Sequence, residues 1–180
     1  MIKSHHQKIF TNTDKRSNIT LIGMSGVGKT SFGRDLANKI NYDFIDTDIL
    51  LKNEYKESLS KALKRVGISE LKKSEEKVVL SLSHVQKTVI SPGGSVIYSK
   101  PAMDLLQKVS KVFYLYLKPE ILAARVGNAD RAIFGIEKKG FVSLYKERMP
   151  LYEKYADYII DINKKSSYKI LDEIIKFANI

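Results

Sequence analysis

Eight residues set between an apolar run and an amphipathic one constrain this chain more than any other feature. Gly23-Met24-Ser25-Gly26-Val27-Gly28-Lys29-Thr30 satisfies G-x-x-x-x-G-K-[ST] at every fixed position. Ile19 to Ile22 before it reads as a short strand. Ser31 to Ile40 after it reads as a helix with Phe32, Leu36, Ala37 and Ile40 on one face. Strand, glycine-rich turn and helix in that order point successive backbone N–H groups into one concavity and add the positive end of the helix dipole. Such a loop holds nucleotide phosphates. Gly26, Val27, Gly28 and Ser31 then belong to the cradle, Lys29 reaches the β/γ oxygens, and Thr30 supplies a hydroxyl to Mg2+.

The rest of the chain alternates strand and helix signals. Tyr42 to Asp46, Thr88 to Ser91, Val112 to Leu117 and Tyr158 to Ile162 read as strands. Ser58 and Ser69 read as N-caps of two helices, and further helices are expected over Ser99–Lys108, Pro119–Val126, Phe141–Lys154 and Ser166–Ala178. The alternation predicts a parallel sheet covered on both faces, with ligands at the C-terminal ends of the strands. Three polar or glycine-rich segments fall there: the first loop, Asp46-Thr47-Asp48 and Pro92-Gly93-Gly94. The two-residue strand period puts Asp46 and Asp48 on one face. One carboxylate is then expected near magnesium and the other near the hydroxyl that is phosphorylated, unless the pair simply caps a strand-to-helix turn.

Length and charge narrow the partners. The 180 residues suffice for one domain, here 19–180, preceded by a flexible polar arm over 1–18. A glycine-punctuated stretch over about 127–140 is expected to be a mobile lid. No apolar run approaches the roughly 20 residues that cross a bilayer. With no cysteine, disulfides and thiolate metal sites are excluded, and a cytoplasmic enzyme is the simplest fit. The net charge of +11 is spread along the chain with no nucleic-acid motif, so it argues for an anionic small-molecule substrate rather than DNA or RNA. His5 and His6 read as solvated tail, having no third ligand nearby.

Taken together, the loop continuing to Gly33-Arg34, Phe44-Ile45-Asp46-Thr47-Asp48, Leu71-Lys72-Lys73-Ser74-Glu75, Pro92-Gly93-Gly94 and Arg148-Met149-Pro150-Leu151-Tyr152 leading to Ala156-Asp157 resemble the shikimate kinase family. These are nucleoside-monophosphate-kinase-like P-loop enzymes, and the likeness spans nearly the whole chain beyond the arm. It implies a three-layer α/β/α P-loop kinase fold, with a five-stranded parallel sheet and a mobile lid. It also implies a monomer that uses ATP and Mg2+ to phosphorylate the 3-hydroxyl of shikimate. By the same resemblance Asp46 holds magnesium through water, and Asp48 binds the ring hydroxyls and takes the proton. Gly93 and Gly94 offer backbone N–H groups, Arg148 pairs with the substrate carboxylate, Arg131 contacts phosphate from the lid, and Arg125 packs on the adenine.

Three positions depart from the family's pattern. Lys72 stands where the family has a carboxylate-binding arginine, keeping the charge but losing the bidentate fork, a difference of about 1–2 kcal/mol. Pro92 replaces the first of three glycines and donates no N–H. Ala132 follows Arg131 where the family has proline. All three lie on the substrate and lid side. The competing readings are a related kinase acting on another small hydroxy acid such as gluconate, and a nucleotide-binding regulator without turnover.

Overall fold

The structure, a computed structural model, describes residues 16–126, 133 and 136–180, with the backbone alone for 136–139. Five strands form one parallel sheet: β1 (Asn18–Ile22), β2 (Asp43–Asp46), β3 (Thr88–Ser91), β4 (Ser110–Tyr116) and β5 (Tyr158–Asp161), in the order β2-β3-β1-β4-β5. Ile19 pairs with Val89 on one side and Lys111 on the other. The central strands are buried on both faces, as all of β1 and β3 are, and they read as apolar runs. The edge strands β2 and β5 are partly exposed.

Helices α1 (Lys29–Ile40), α2 (Thr47–Tyr55), α3 (Leu59–Leu80), α4 (Lys100–Val109), α5 (Pro119–Val126), α6 (Ile136–Tyr155) and α7 (Ser167–Ala178) make up the outer layers. From β1 the chain steps one way across the sheet towards β2, and from β3 the other way to β4. Right-handed crossovers therefore put α1 and α4 on opposite faces. α1 packs with α7, and α3 with α4. The reversal leaves a crevice at the C-terminal end of β1, between β3 and β4, where the glycine-rich loop begins.

Local chemistry explains most boundaries. Gly28 sits at φ 104, a left-handed turn that no side chain adopts cheaply, and α1 starts at the next residue. The Ser58, Ser99 and Ser166 hydroxyls cap α3, α4 and α7. The break expected near Ser69 falls at Gly67, which is non-helical inside the α3 run. α6 has a similar break at Gly140.

Two polar clusters hold the end of the sheet away from the crevice. The buried Asn18 amide donates to the Val85 and Val109 carbonyls and accepts from the Thr88 N–H. The Asp157 carboxylate accepts from the Val112 N–H at 2.9 Å and from Arg16 at 2.8 Å, and Arg16 also reaches the Ser110 carbonyl at 3.1 Å. Residues 1–15 of the expected arm lie outside the described residues. Arg16, within that arm's expected bounds, is tied to the domain.

Candidate active site

One wall of the site is the loop after β1. Ser25, Gly26, Gly28, Lys29, Thr30 and Ser31 all line a cavity of about 640 Å3. Val27 is fully buried and is not among the residues that line the cavity. The Lys29 ammonium donates to the Gly23 carbonyl at 2.9 Å and the Met24 carbonyl at 3.3 Å, folding back over its own loop.

The second wall comes from the end of β2. Asp46 accepts the Thr30 hydroxyl at 2.6 Å through Oδ2, while its Oδ1 accepts the N–H groups of Asp48 at 2.9 Å and Ile49 at 3.4 Å. The strand therefore ends at Asp46, which caps α2, and Asp48 lies in the first helical turn. This corrects the placement of Asp46 and Asp48 on one strand face. The capping geometry, weighed above as an alternative, is present, and both residues still line the cavity. A hydroxyl and a carboxylate in contact form a hard-oxygen pair that suits Mg2+.

The third wall is the loop after β3 with the helices beside it. Gly93 and Gly94 line the cavity with Arg148 of α6, which is almost fully buried. The Gly93 N–H donates to the Thr47 hydroxyl at 3.2 Å, so a protein group already engages it. Gly93 also permits a close approach. A Cβ there would sit 2.1 Å from Glu75 Oε1 and 2.9 Å from Asp48 Oδ1. The Tyr152 hydroxyl donates to the Gly94 carbonyl at 2.6 Å and lies 3.7 Å from the Met24 sulfur, and the ring stacks on Tyr114 at 5.0 Å.

Glu75 received no role in the sequence reading, yet it faces this cavity from α3 and is buried. The Ser95 hydroxyl lies 2.7 and 3.0 Å from its two oxygens. Burial pushes its carboxyl up to about 7. The Ser95 hydrogen bond, Arg148 and Lys29 pull it down, and the Asp48 carboxylate adds to the rise. The signal was present in the sequence: Leu71, Glu75, Val78 and Leu82 recur at helical spacing, placing a carboxylate on an apolar stripe.

Besides Val27, two further expected residues stand apart from the cavity lining. Lys72 lies against the Tyr98 ring, its Nζ 4.6 Å from the centroid. Arg125 is exposed near the end of α5, beside the Gly26 turn but outside the cavity. Arg131 and Ala132 lie outside the described residues, as does most of the stretch expected to be the lid. Ile133 is buried with Val126 and Leu144, and it lines the cavity. Arg34, Asp35 and Lys52 also line it, with no role foreseen.

The family model for shikimate kinase matches residues 25–179. The chain belongs to the shikimate kinase family. The shikimate kinase of Caldanaerobacter subterraneus subsp. tengcongensis is 30% identical over 162 residues, covering 88% of this chain and 94% of the relative. Among solved structures, a shikimate kinase from Acinetobacter baumannii in complex with shikimate superposes with a TM-score of 0.80 at 26% identity, covering 90% of this chain and 92% of that one. A gluconokinase from Sinorhizobium meliloti superposes with a TM-score of 0.62 at 18% identity, covering 91% and 92%, a likeness of fold alone. The three-layer P-loop kinase fold with a five-stranded parallel sheet, expected from the sequence, is the family's fold. Among the described residues no helix is long and apolar enough to cross a membrane.

Proposed function

We propose that this chain transfers the γ-phosphoryl group of ATP to the 3-hydroxyl of shikimate, giving shikimate 3-phosphate and ADP. The observation that carries this reading is the meeting, in one cavity, of a complete phosphate loop with Asp48, Gly93, Gly94 and Arg148. Phosphoryl transfer asks for in-line positioning and positive charge more than covalent chemistry, and Lys29, Arg34, Lys52 and Arg148 bring positive charge to the cavity lining.

In this reading Lys29 leaves the Gly23 and Met24 carbonyls for the β/γ-phosphates. Gly26, Val27, Gly28 and Ser31 cradle the phosphates through their backbone. Thr30 and Asp46 hold Mg2+, which when bound neutralises charge on the phosphate oxygens. Asp48 accepts the hydrogen bond of the acceptor hydroxyl and takes its proton. Arg148 pairs with the acceptor's carboxylate, while Lys72 adds positive charge from outside the cavity lining. The Gly93 N–H turns to substrate only by leaving Thr47, with Gly94 beside it. Arg131 comes from a lid over about 127–140 to the transferring phosphate, and Arg125 packs on the adenine.

The same reading takes the enzyme to be a monomer working in the cytoplasm, where ATP is supplied. The test is acceptor-dependent ADP release at saturating MgATP. Turnover with shikimate is expected; its absence overturns the reading.

A further inference from the structure

Lys72 of α3 and Arg148 of α6 come from separate elements, yet both settle on one ring. Tyr98 ends the short 3-10 turn Val96–Tyr98 that follows the Gly93-Gly94 loop. Its ring centroid lies 4.6 Å from the Lys72 ammonium and 5.3 Å from the Arg148 guanidinium carbon. Its hydroxyl accepts from Arg148 Nε at 3.3 Å and donates to Glu147 Oε1 at 2.7 Å. Two like charges drawn this close repel each other. An electron-rich ring face offsets part of that cost, and a half-buried position strengthens the attraction.

The arrangement also explains how a lysine serves here. An ammonium has no planar fork and, left alone, samples many rotamers. The ring restricts it. Of the two cations on the ring, Arg148 is the one that lines the cavity, and Tyr98 engages its Nε while the Gly94 carbonyl takes an Nη1 contact at 3.4 Å.

We propose that Tyr98 is a positioning residue for the carboxylate end of the acceptor. Its hydroxyl sets the plane of the Arg148 guanidinium, and its ring keeps Lys72 alongside as a second positive charge. This inference rests on the kinase reading above. It makes Tyr98 a determinant of acceptor affinity and leaves the nucleotide side alone.

Steady-state kinetics on Tyr98→Phe, Tyr98→Leu, Lys72→Ala and the Tyr98→Leu/Lys72→Ala double variant test it. Tyr98→Phe keeps the ring and should raise KM for shikimate about fivefold. Tyr98→Leu should raise it about twentyfold or more. In both, kcat should stay within about threefold and KM for ATP should be unchanged, the latter also reporting a folded protein. Lys72→Ala should matter in the Tyr98 background and have little further effect on Tyr98→Leu. Equal KM for shikimate in wild type and Tyr98→Leu, or a parallel rise in KM for ATP, overturns the proposal while leaving the kinase reading standing. Wild-type turnover of gluconate in place of shikimate overturns the acceptor assignment, and the same variants are then read with gluconate. No turnover with either acid overturns both.

Discussion

The Thr30 hydroxyl and the Asp46 carboxylate meet at 2.6 Å, joining the start of α1 to the end of β2. The other oxygen of Asp46 caps α2, so one side chain engages the loop threonine and a helix at once. The two duties separate by substitution. Asp46→Asn keeps a good cap, and Asp46→Ala loses it at about 1 kcal/mol. Both should raise the Mg2+ concentration needed for half-maximal ADP release by tenfold or more. Thermal melts should show only the alanine variant falling.

Gly93→Ala places a methyl group where Glu75 Oε1 lies 2.1 Å away. Glu75 is buried and bonded to Ser95, so it has little room to retreat. Acceptor-dependent ADP release should fall by about two orders of magnitude. Nucleotide binding, followed by calorimetry, should stay within about threefold of wild type.

Glu75 gives a pH signature with a definite sign. Its carboxyl is raised from 4.5 to about 7, so the folded state holds a proton that the unfolded chain releases. Its contribution is fully present below about pH 4.5 and is lost as pH rises through about 7. The magnitude is on the order of 3 kcal/mol. Denaturant melts across that window should show the wild type losing stability relative to Glu75→Gln, whose neutral amide does not titrate. Parallel curves for the two proteins would contradict the assignment.

Arg16 and Asp157 form an ion pair with side-chain exposures of 15% and 2%. Arg16→Ala should destabilise the fold by about 2 kcal/mol, short of a full buried-pair loss because the Val112 N–H still donates to the carboxylate. For a chain of this size that corresponds to about 5 °C in Tm. KM for ATP should not change, since the pair contacts the end of α4 and the start of β4 rather than the cavity.

Much of the fold was written in local patterns. The strand–loop–helix unit, the apolar central strands and the serine caps are each set by a few neighbouring residues. What failed depended on geometry beyond those neighbours. Asp46 and Asp48 follow a strand period on paper, but the Asp46 side chain takes two backbone N–H groups and turns the chain into α2. That helix escaped notice because Ile49, Leu50 and Leu51 run together without periodicity, and of the three only Leu51 is buried. The charge at Lys72 was legible, whereas its resting place on Tyr98 depends on the packing of α3 beside a turn 24 residues further on. Glu75 was visible on an apolar stripe. Its environment is set by Ser95 and Arg148, which spacing along the chain does not bring together.

The hydroxyl of Tyr152 bonds the Gly94 carbonyl and touches the Met24 sulfur, so the loop after β1 and the loop after β3 hang from one peg. Neither loop is then an independent module. Grafting another enzyme's acceptor loop onto this scaffold would disturb nucleotide affinity unless the graft kept a carbonyl at the position of Gly94 for that phenol. Attempts to retarget the acceptor are better directed at Leu71 and Lys52, which line the cavity without hanging from that peg.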